Sequence, residues 1–244
     1  MEMLKTYLSD SIATSNPKLS EIVGTRINKL RQWAQSIREA QPSDDRQWQE
    51  CVAMIDFQCV SAKKILQGIY QMPGVTGESN ELWIEPRGLT AIIIDQDMPA
   101  AALSGMLSTA LLCRNPVKVT VHPQLKPYAD GMLKQLMGRF IDMEEVSIVS
   151  WEQKEQLLND PELKVVALAS KNHEDIIQIN RQLSQREGII VPLICETDPY
   201  LSTMNNGTFC IGFGTEKTCT INTTAIGGNA SLLELGATAA ITKN

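Results

Sequence analysis

The sequence predicts an α/β fold, a doubly wound parallel sheet with helices ahead of it and a β-hairpin arm behind it. Three observations carry that expectation. Short runs that are almost wholly apolar, such as Gly88-Leu-Thr-Ala-Ile-Ile-Ile94 and Val165 to Leu168, read as strands covered on both faces. Between them lie stretches whose apolar residues recur at steps of three and four, the mark of crossover helices. The alternation starts only after two long amphipathic patterns, and it stops beyond Pro199.

The first of those patterns runs from Pro17 to Gln41, with Leu19, Ile22, Val23, Ile27, Leu30, Trp33, Ala34 and Ile37 on one face. Pro42-Ser-Asp-Asp interrupts it, and Trp48, Cys51, Val52, Ile55, Cys59, Ala62, Ile65, Leu66 and Ile69 resume it as a second helix. Pro73-Gly74-Val75-Thr76-Gly77 is a turn, after which Leu82-Trp83-Ile84 gives a surface strand and Gly88 to Ile94 a buried one. Helix and strand then alternate: a helix of small residues from Pro99 to Cys113, a strand over Val117 to Val121, and a helix from Tyr128 to Phe140. A strand over Val146 to Val149, a helix from Trp151 to Leu158 and a strand over Val165 to Leu168 follow. A helix from Glu174 to Arg186 and a strand over Ile189 to Ile194 complete the series. Phe209 to Phe213 and Lys217 to Asn222 pair as a hairpin through Gly212 and Gly214. The boundaries that follow are 1–80 for a helical segment packed on the core, 81–200 for the α/β core, and 201–244 for the arm and a terminal motif.

Composition excludes several classes of function. Of 244 residues 43% are hydrophobic and 20% charged, which suits a folded chain with a sizeable core. With 22 basic and 28 acidic residues the net charge is −6 and no basic block stands out, so a grip on phosphate backbones is not expected and nucleic acid is a poor partner. The six cysteines are scattered and only two histidines are present, so neither a disulfide framework nor a metal site is expected. No apolar run approaches the roughly 20 residues of a membrane span, and Met1 to Asp10 is not built like a signal peptide. The expected compartment is the cytoplasm.

Two longer stretches carry a resemblance. Pro73 to Pro99 reads PGVTGESNELWIEPRGLTAIIIDQDMP, and Ile179 to Thr197 reads INRQLSQREGIIVPLICET. Together with the leading helices they resemble the cofactor-binding domain of an aldehyde dehydrogenase, a Rossmann-type fold, with the glutamate semialdehyde (1-pyrroline-5-carboxylate) branch the most similar. Thr220 to Gly236, TINTTAIGGNASLLELG, resembles the terminal motif of the bifunctional proline utilization A family. In that family the motif folds over the dehydrogenase active site and helps close the tunnel that carries the semialdehyde. Asp198 to Thr208 stands where a working dehydrogenase has its whole catalytic domain, a deletion that resembles the extra C-terminal domain of the longer proline utilization A enzymes.

The resemblance implies a set of site residues, and most are altered. Where the family places an Asn amide on the developing oxyanion, in a Trp-Asn-Phe-Pro run, this chain has Gln96-Asp97-Met98-Pro99, and a carboxylate there repels the charge it would have to stabilise. Asp97 therefore reads as a turn residue or helix cap. Glu196 matches the general-base glutamate, but Asp198-Pro199 replaces the two glycines expected after it, and the plainer reading is a solvated strand-end carboxylate. Asn205-Asn-Gly-Thr-Phe-Cys210 imitates the nucleophile segment, yet no His or Arg lies near Cys210 in sequence to activate the thiol, and a buried thiol is the plainer account. On the cofactor side His122-Pro123 replaces a Lys-Pro that holds the adenosine ribose. Leu168-Ala-Ser-Lys-Asn172 replaces a Gly-Ser turn under the pyrophosphate, leaving Ser170 and Lys171 as weak anion contacts. NAD is expected only if the chain is a shortened semialdehyde dehydrogenase using Glu196 and Cys210. The favoured expectation is a non-catalytic domain that covers a dehydrogenase site through Gly227, Gly228, Asn229, Ala230 and Ser231. Its partner would be the aldehyde dehydrogenase domain of a proline utilization enzyme, with a homodimer through the hairpin as a further association.

Overall fold

The computed structural model describes residues 13–15, 17–137 and 145–222. The terminal motif with Gly227 to Ser231 therefore lies outside the described residues.

Two sheets organise the chain. The first is parallel, of order β6-β5-β4-β7-β8, built from β4 (Thr90–Ile94), β5 (Val117–Val121), β6 (Val146–Ile148), β7 (Val165–Ala169) and β8 (Leu193–Glu196). The second is antiparallel, of order β1-β2-β3-β9, from β1 (Ala13–Ser15), β2 (Gly68–Met72), β3 (Glu78–Pro86) and β9 (Gly214–Asn222). Six helices accompany them: α1 (Pro17–Ala40), α2 (Arg46–Leu66), α3 (Ala100–Leu112), α4 (Lys126–Leu136), α5 (Lys154–Leu158) and α6 (His173–Ser184). The doubly wound α/β fold expected from the sequence is the one observed.

Successive residues of a strand face opposite sides, and β4 shows it cleanly. Ile92 and Ile94 join a large core with α1 to α4, while Ala91 and Ile93 join a smaller one with Leu157 and Leu158 of α5 and Ile179 and Leu183 of α6. Every residue of β4 and β7 is buried, as strands covered on both faces must be. All of α3 is buried as well, which explains its run of Ala, Ser and Gly: small side chains let α2 lie against it. A Cβ on Gly105 would collide with the Met54 and Met204 side chains, so the absence of a side chain there brings both α2 and the loop after β8 onto the helix.

Several elements differ from expectation. The second helix ends at Leu66, and Ile69 and Tyr70 belong to β2 instead. The helical spacing runs on past the point where Gly68 begins a strand, because both elements bury their apolar face in the same neighbourhood. The strand expected over Ile189 to Ile194 begins at Leu193. Ile189 and Ile190 are 72% and 86% exposed, since Gly188 turns the chain with φ 91° before Val191 re-enters the core. Leu82, Trp83 and Ile84 are buried rather than on a surface strand. The expected hairpin does not form: Phe209–Phe213 is a 3-10 turn, and Lys217 to Asn222 falls in β9, which pairs along the full length of β3. Phe213 is wholly buried and Phe209 packs edge-on against it at 5.2 Å, so burying both rings on the helical core outweighs strand pairing.

Candidate functional site

In an open parallel sheet, ligands bind outside the carboxyl ends of the strands, where the connections reverse direction. Here β4 leads outward to β5 and β6 on one side, and β7 and β8 lie on the other, so the reversal falls between β4 and β7. The loops that follow those strands, residues 95–99 and 170–172, carry Asp95, Asp97, Ser170, Lys171 and Asn172.

Their polar groups are turned on one another. Ser170 is fully buried, and its Oγ donates to Asp95 Oδ2 at 3.0 Å while accepting from the Asn172 amide at 3.0 Å. The Ser170 amide donates to the Glu196 carbonyl at 3.1 Å and the Asp95 amide to the Ala169 carbonyl at 2.9 Å, which ties the ends of β4, β7 and β8 together. The Lys171 amide donates to Asp97 Oδ2 at 3.0 Å, while the Lys171 side chain is exposed. Asp97 Oδ1 is buried without a partner among the described residues. Asp97 does not cap α3; Pro99 holds that position, and the Ala100 amide donates to Gln47 Oε1 of α2 at 3.3 Å.

The N-terminus of α6 is closed in the same way. A phosphate there would take the free amides of the first turn. Instead Asn172 Oδ1 accepts from the amides of Glu174 and Asp175 at 3.1 and 3.3 Å, and both of those residues bring a carboxylate to the positive end of the helix. Asp175 is in turn held by Lys154 at 3.1 Å, and Lys154 lies over the Trp151 ring. His122, after β5, packs edge-on against Trp151 at 5.3 Å, and its Nδ1 accepts from the Gln124 amide. The surface from His122 to Asn172 is thus lined with carboxylates and internally bonded groups.

Glu196 corrects the expectation of a solvated carboxylate. It is fully buried; Oε1 accepts from the Asp198 amide at 3.1 Å and Oε2 from the Met204 amide at 2.9 Å. Charge-assisted bonds of this kind are the strong ones. Both oxygens are spent on folding the loop after β8 into a compact knot, and Gln58 Nε2 fastens the knot from α2 by donating to the Met204 carbonyl at 2.8 Å. Leu201, in a left-handed conformation with φ 59°, and Met204 are buried in it. Cys210 lies beneath, where its carbonyl accepts from the Cys113 thiol at 3.4 Å. Burial pushes the Cys210 thiol up to about 12, and Cys113, wholly buried beside it, well above its usual value. A thiolate is what attacks, so this thiol is silent near neutral pH. In Asn205 to Cys210, Asn206 Oδ1 accepts from the amide and hydroxyl of Thr208, a self-contained turn. Glu196 and Cys210, the general base and nucleophile that a shortened dehydrogenase would use, are both buried. The role of Glu196 in the loop had no sequence signal beyond the pairing of a strand-end Glu with Asp-Pro.

Among the described residues no group of His, Cys, Asp and Glu is arranged to hold a metal, and no helix is long and apolar enough to cross a membrane.

No family model matches the sequence, and no curated protein matches it. Solved structures do. A structure of proline utilization A with proline bound in remote sites superposes with a TM-score of 0.65 at 24% identity, over 80% of this chain and 23% of that one. Proline utilization A from Bdellovibrio bacteriovorus gives 0.63 at 17% identity, over 71% and 20%. A putative aldehyde dehydrogenase from Burkholderia cenocepacia gives 0.60 at 16% identity, over 72% and 40%. The chain thus spans about a quarter of the length of the proline utilization A structures it matches. The fold of this chain is thus an α/β domain similar to those in the solved proline utilization A and aldehyde dehydrogenase structures.

Proposed function

We propose that the chain is a non-catalytic aldehyde-dehydrogenase-like domain that acts by contact in the oxidation of proline to glutamate. It covers the semialdehyde dehydrogenase site and tunnel of a proline utilization enzyme and assists that enzyme's assembly. One observation carries the reading: at the strand ends where a dinucleotide would lie, Ser170, Asn172 and Glu196 are bonded to the chain itself, and the carboxylates of Asp95, Asp97, Glu174 and Asp175 gather there. A pyrophosphate finds the Glu174 and Asp175 amides already capped by Asn172 and carboxylates around them. A surface for contact is available elsewhere. An apolar groove of about 460 Å³ runs between α2 and the loop after β8, flanked by Phe57 and by Tyr200, which is 87% exposed. Exposed aromatic groups of this kind are the usual anchors of an interface.

Titration of the chain against an aldehyde dehydrogenase domain of proline utilization A, with and without residues 223–244, tests the proposal. Association that weakens on truncation supports a covering role for Gly227 to Ser231; association unchanged by truncation contradicts it. The competing possibility, a shortened NAD-dependent semialdehyde dehydrogenase, requires NADH formation that disappears in Cys210→Ala.

A further inference from the structure

At the opposite end of the parallel sheet, a cleft of about 280 Å³ opens between the first turns of α1, the end of β3 and the turn that joins α3 to β5. Leu19, Trp83 and Pro86 line it as apolar walls, and Lys18, Glu85 and Arg114 bring charge. Glu85 is already satisfied: Oε1 accepts from the Trp83 indole at 3.0 Å, and Lys217 reaches the carboxylate at 3.1 Å.

Arg114 is different. Among the described residues its guanidinium has neither a hydrogen-bond nor an ion-pair partner. Burial, and after it the neighbouring Arg26, pull the guanidinium below its usual value. Burial and the like charge of Arg26 outweigh the opposing pull of the Glu85 carboxylate, which lines the same cleft without bonding to Arg114. Arg26 is no substitute for a partner, since it is itself paired with Glu145 at 2.8 Å.

The backbone gives a second, independent reason to single out this residue. Arg114 has φ 64°, the left-handed conformation that favours glycine. It ends α3: its amide donates to the Leu111 carbonyl and the Asn115 amide to the Ala110 carbonyl, both at 3.0 Å, the double bond pattern in which glycine is the usual occupant. An arginine placed there costs backbone stability and leaves its charge unpaired, so its side chain is the feature to be explained.

We propose that this cleft binds a small molecule bearing a carboxylate and a short apolar body, with the carboxylate held by the Arg114 fork and the body lying beside Leu19 and Trp83. A guanidinium presents parallel N–H donors that match a carboxylate two for two. At about 280 Å³ the cleft lies at the lower edge of the range of about 300 to 1,000 Å³ typical of ligand sites, which suits a small molecule. The Glu85 carboxylate is engaged by Lys217 and the Trp83 indole, which leaves the Arg114 N–H donors open to the ligand.

The chain has four tryptophans, and Trp83 alone of them lines this cleft, so its indole N–H signal in a proton–nitrogen correlation spectrum, assigned through Trp83→Phe, reports on it. Sodium propionate is the probe, with inorganic phosphate and sodium chloride at equal ionic strength as separate arms. The Trp83 signal shifts saturably with propionate in the millimolar range while those of Trp33, Trp48 and Trp151 stay in place. Arg114→Gln and Arg114→Gly both abolish the shift. Arg114→Gly also keeps or raises the thermal midpoint, because glycine suits the left-handed position, which separates loss of binding from loss of fold. An unmoved Trp83 signal, an equal shift in Arg114→Gly, an equal shift with chloride, or saturation by phosphate but not by propionate overturns the proposal.

Discussion

The two ends of the parallel sheet treat polar groups in opposite ways. At the carboxyl ends of β4, β7 and β8, where the fold offers a binding crevice, the buried Ser170 and Glu196 and the capping Asn172 are bonded to neighbouring backbone or side chains, and the surplus charge is negative. At the amino ends, Asn115 is likewise fully used: Oδ1 accepts from the amides of Arg87 and Gly88 and Nδ2 donates to the Phe213 carbonyl at 2.7 Å. Next to it, however, Arg114 is a half-buried cation in a left-handed backbone whose guanidinium makes no hydrogen bond or ion pair among the described residues. The crevice at one end is closed from within, and the unspent chemistry lies at the other end. The lesson is that polar satisfaction, not residue identity alone, decides what a side chain can do: Glu196 and Cys210 resemble dehydrogenase residues in sequence, yet both are buried and committed to the fold.

Breaking the sealed end produces the largest effect. Glu196→Ala leaves the Asp198 and Met204 amides unpaired inside the core and is expected to cost about 4 kcal/mol, the sum of two charge-assisted bonds, read as a lower urea midpoint. A next effect comes from the buried thiols. Burial first of all pushes the thiols of Cys51, Cys59 and Cys210 from the ordinary 9.0 up to about 12 in the folded chain. Below pH 9 both states keep the proton and stability is full. As pH rises from 9 toward 12 the unfolded thiols release protons that the folded ones hold, so stability falls steadily across that window. Thermal midpoints measured through it are expected to decline, and the decline becomes shallower in Cys210→Ala.

Smaller changes sharpen the contrast. Asn172→Ala removes the cap of α6 and is expected to cost about 1 kcal/mol, read by denaturant unfolding. Arg114→Gly is the one substitution expected to help, by about 0.5 to 1 kcal/mol, through relief of the left-handed backbone.

Much of this architecture was legible in the sequence because burial on both faces leaves a plain mark. Thr90 to Ile94 and Val165 to Ala169 are short, branched and apolar, and α3 announces its close packing in small residues. What was hidden depends on tertiary context. Strand β2 borrows the helical spacing of α2, so Ile69 fits either pattern until the chain has folded. Ile189 and Ile190 look like a strand and lie in water, while the two phenylalanines at 209 and 213 look like a strand and close a 3-10 turn on the core. In the site, the losses at Asp97 and His122 were visible as departures from a pattern. The burial of Glu196 was not, because it depends on a loop folding back to present two amides. Arg114 was invisible: an arginine after a helix is ordinary until its dihedral angle and its missing partner are known.

The account rests most heavily on the sealed crevice, and calorimetric titration of the folded chain with NAD tests it most directly. The expected trace is flat beyond heats of dilution, with Asp97→Asn no different, because Asn172 and the acidic first turn of α6 still occupy the phosphate position. A saturable heat that vanishes when Ser170 or Asn172 is replaced would contradict the account and return the chain to the dehydrogenases.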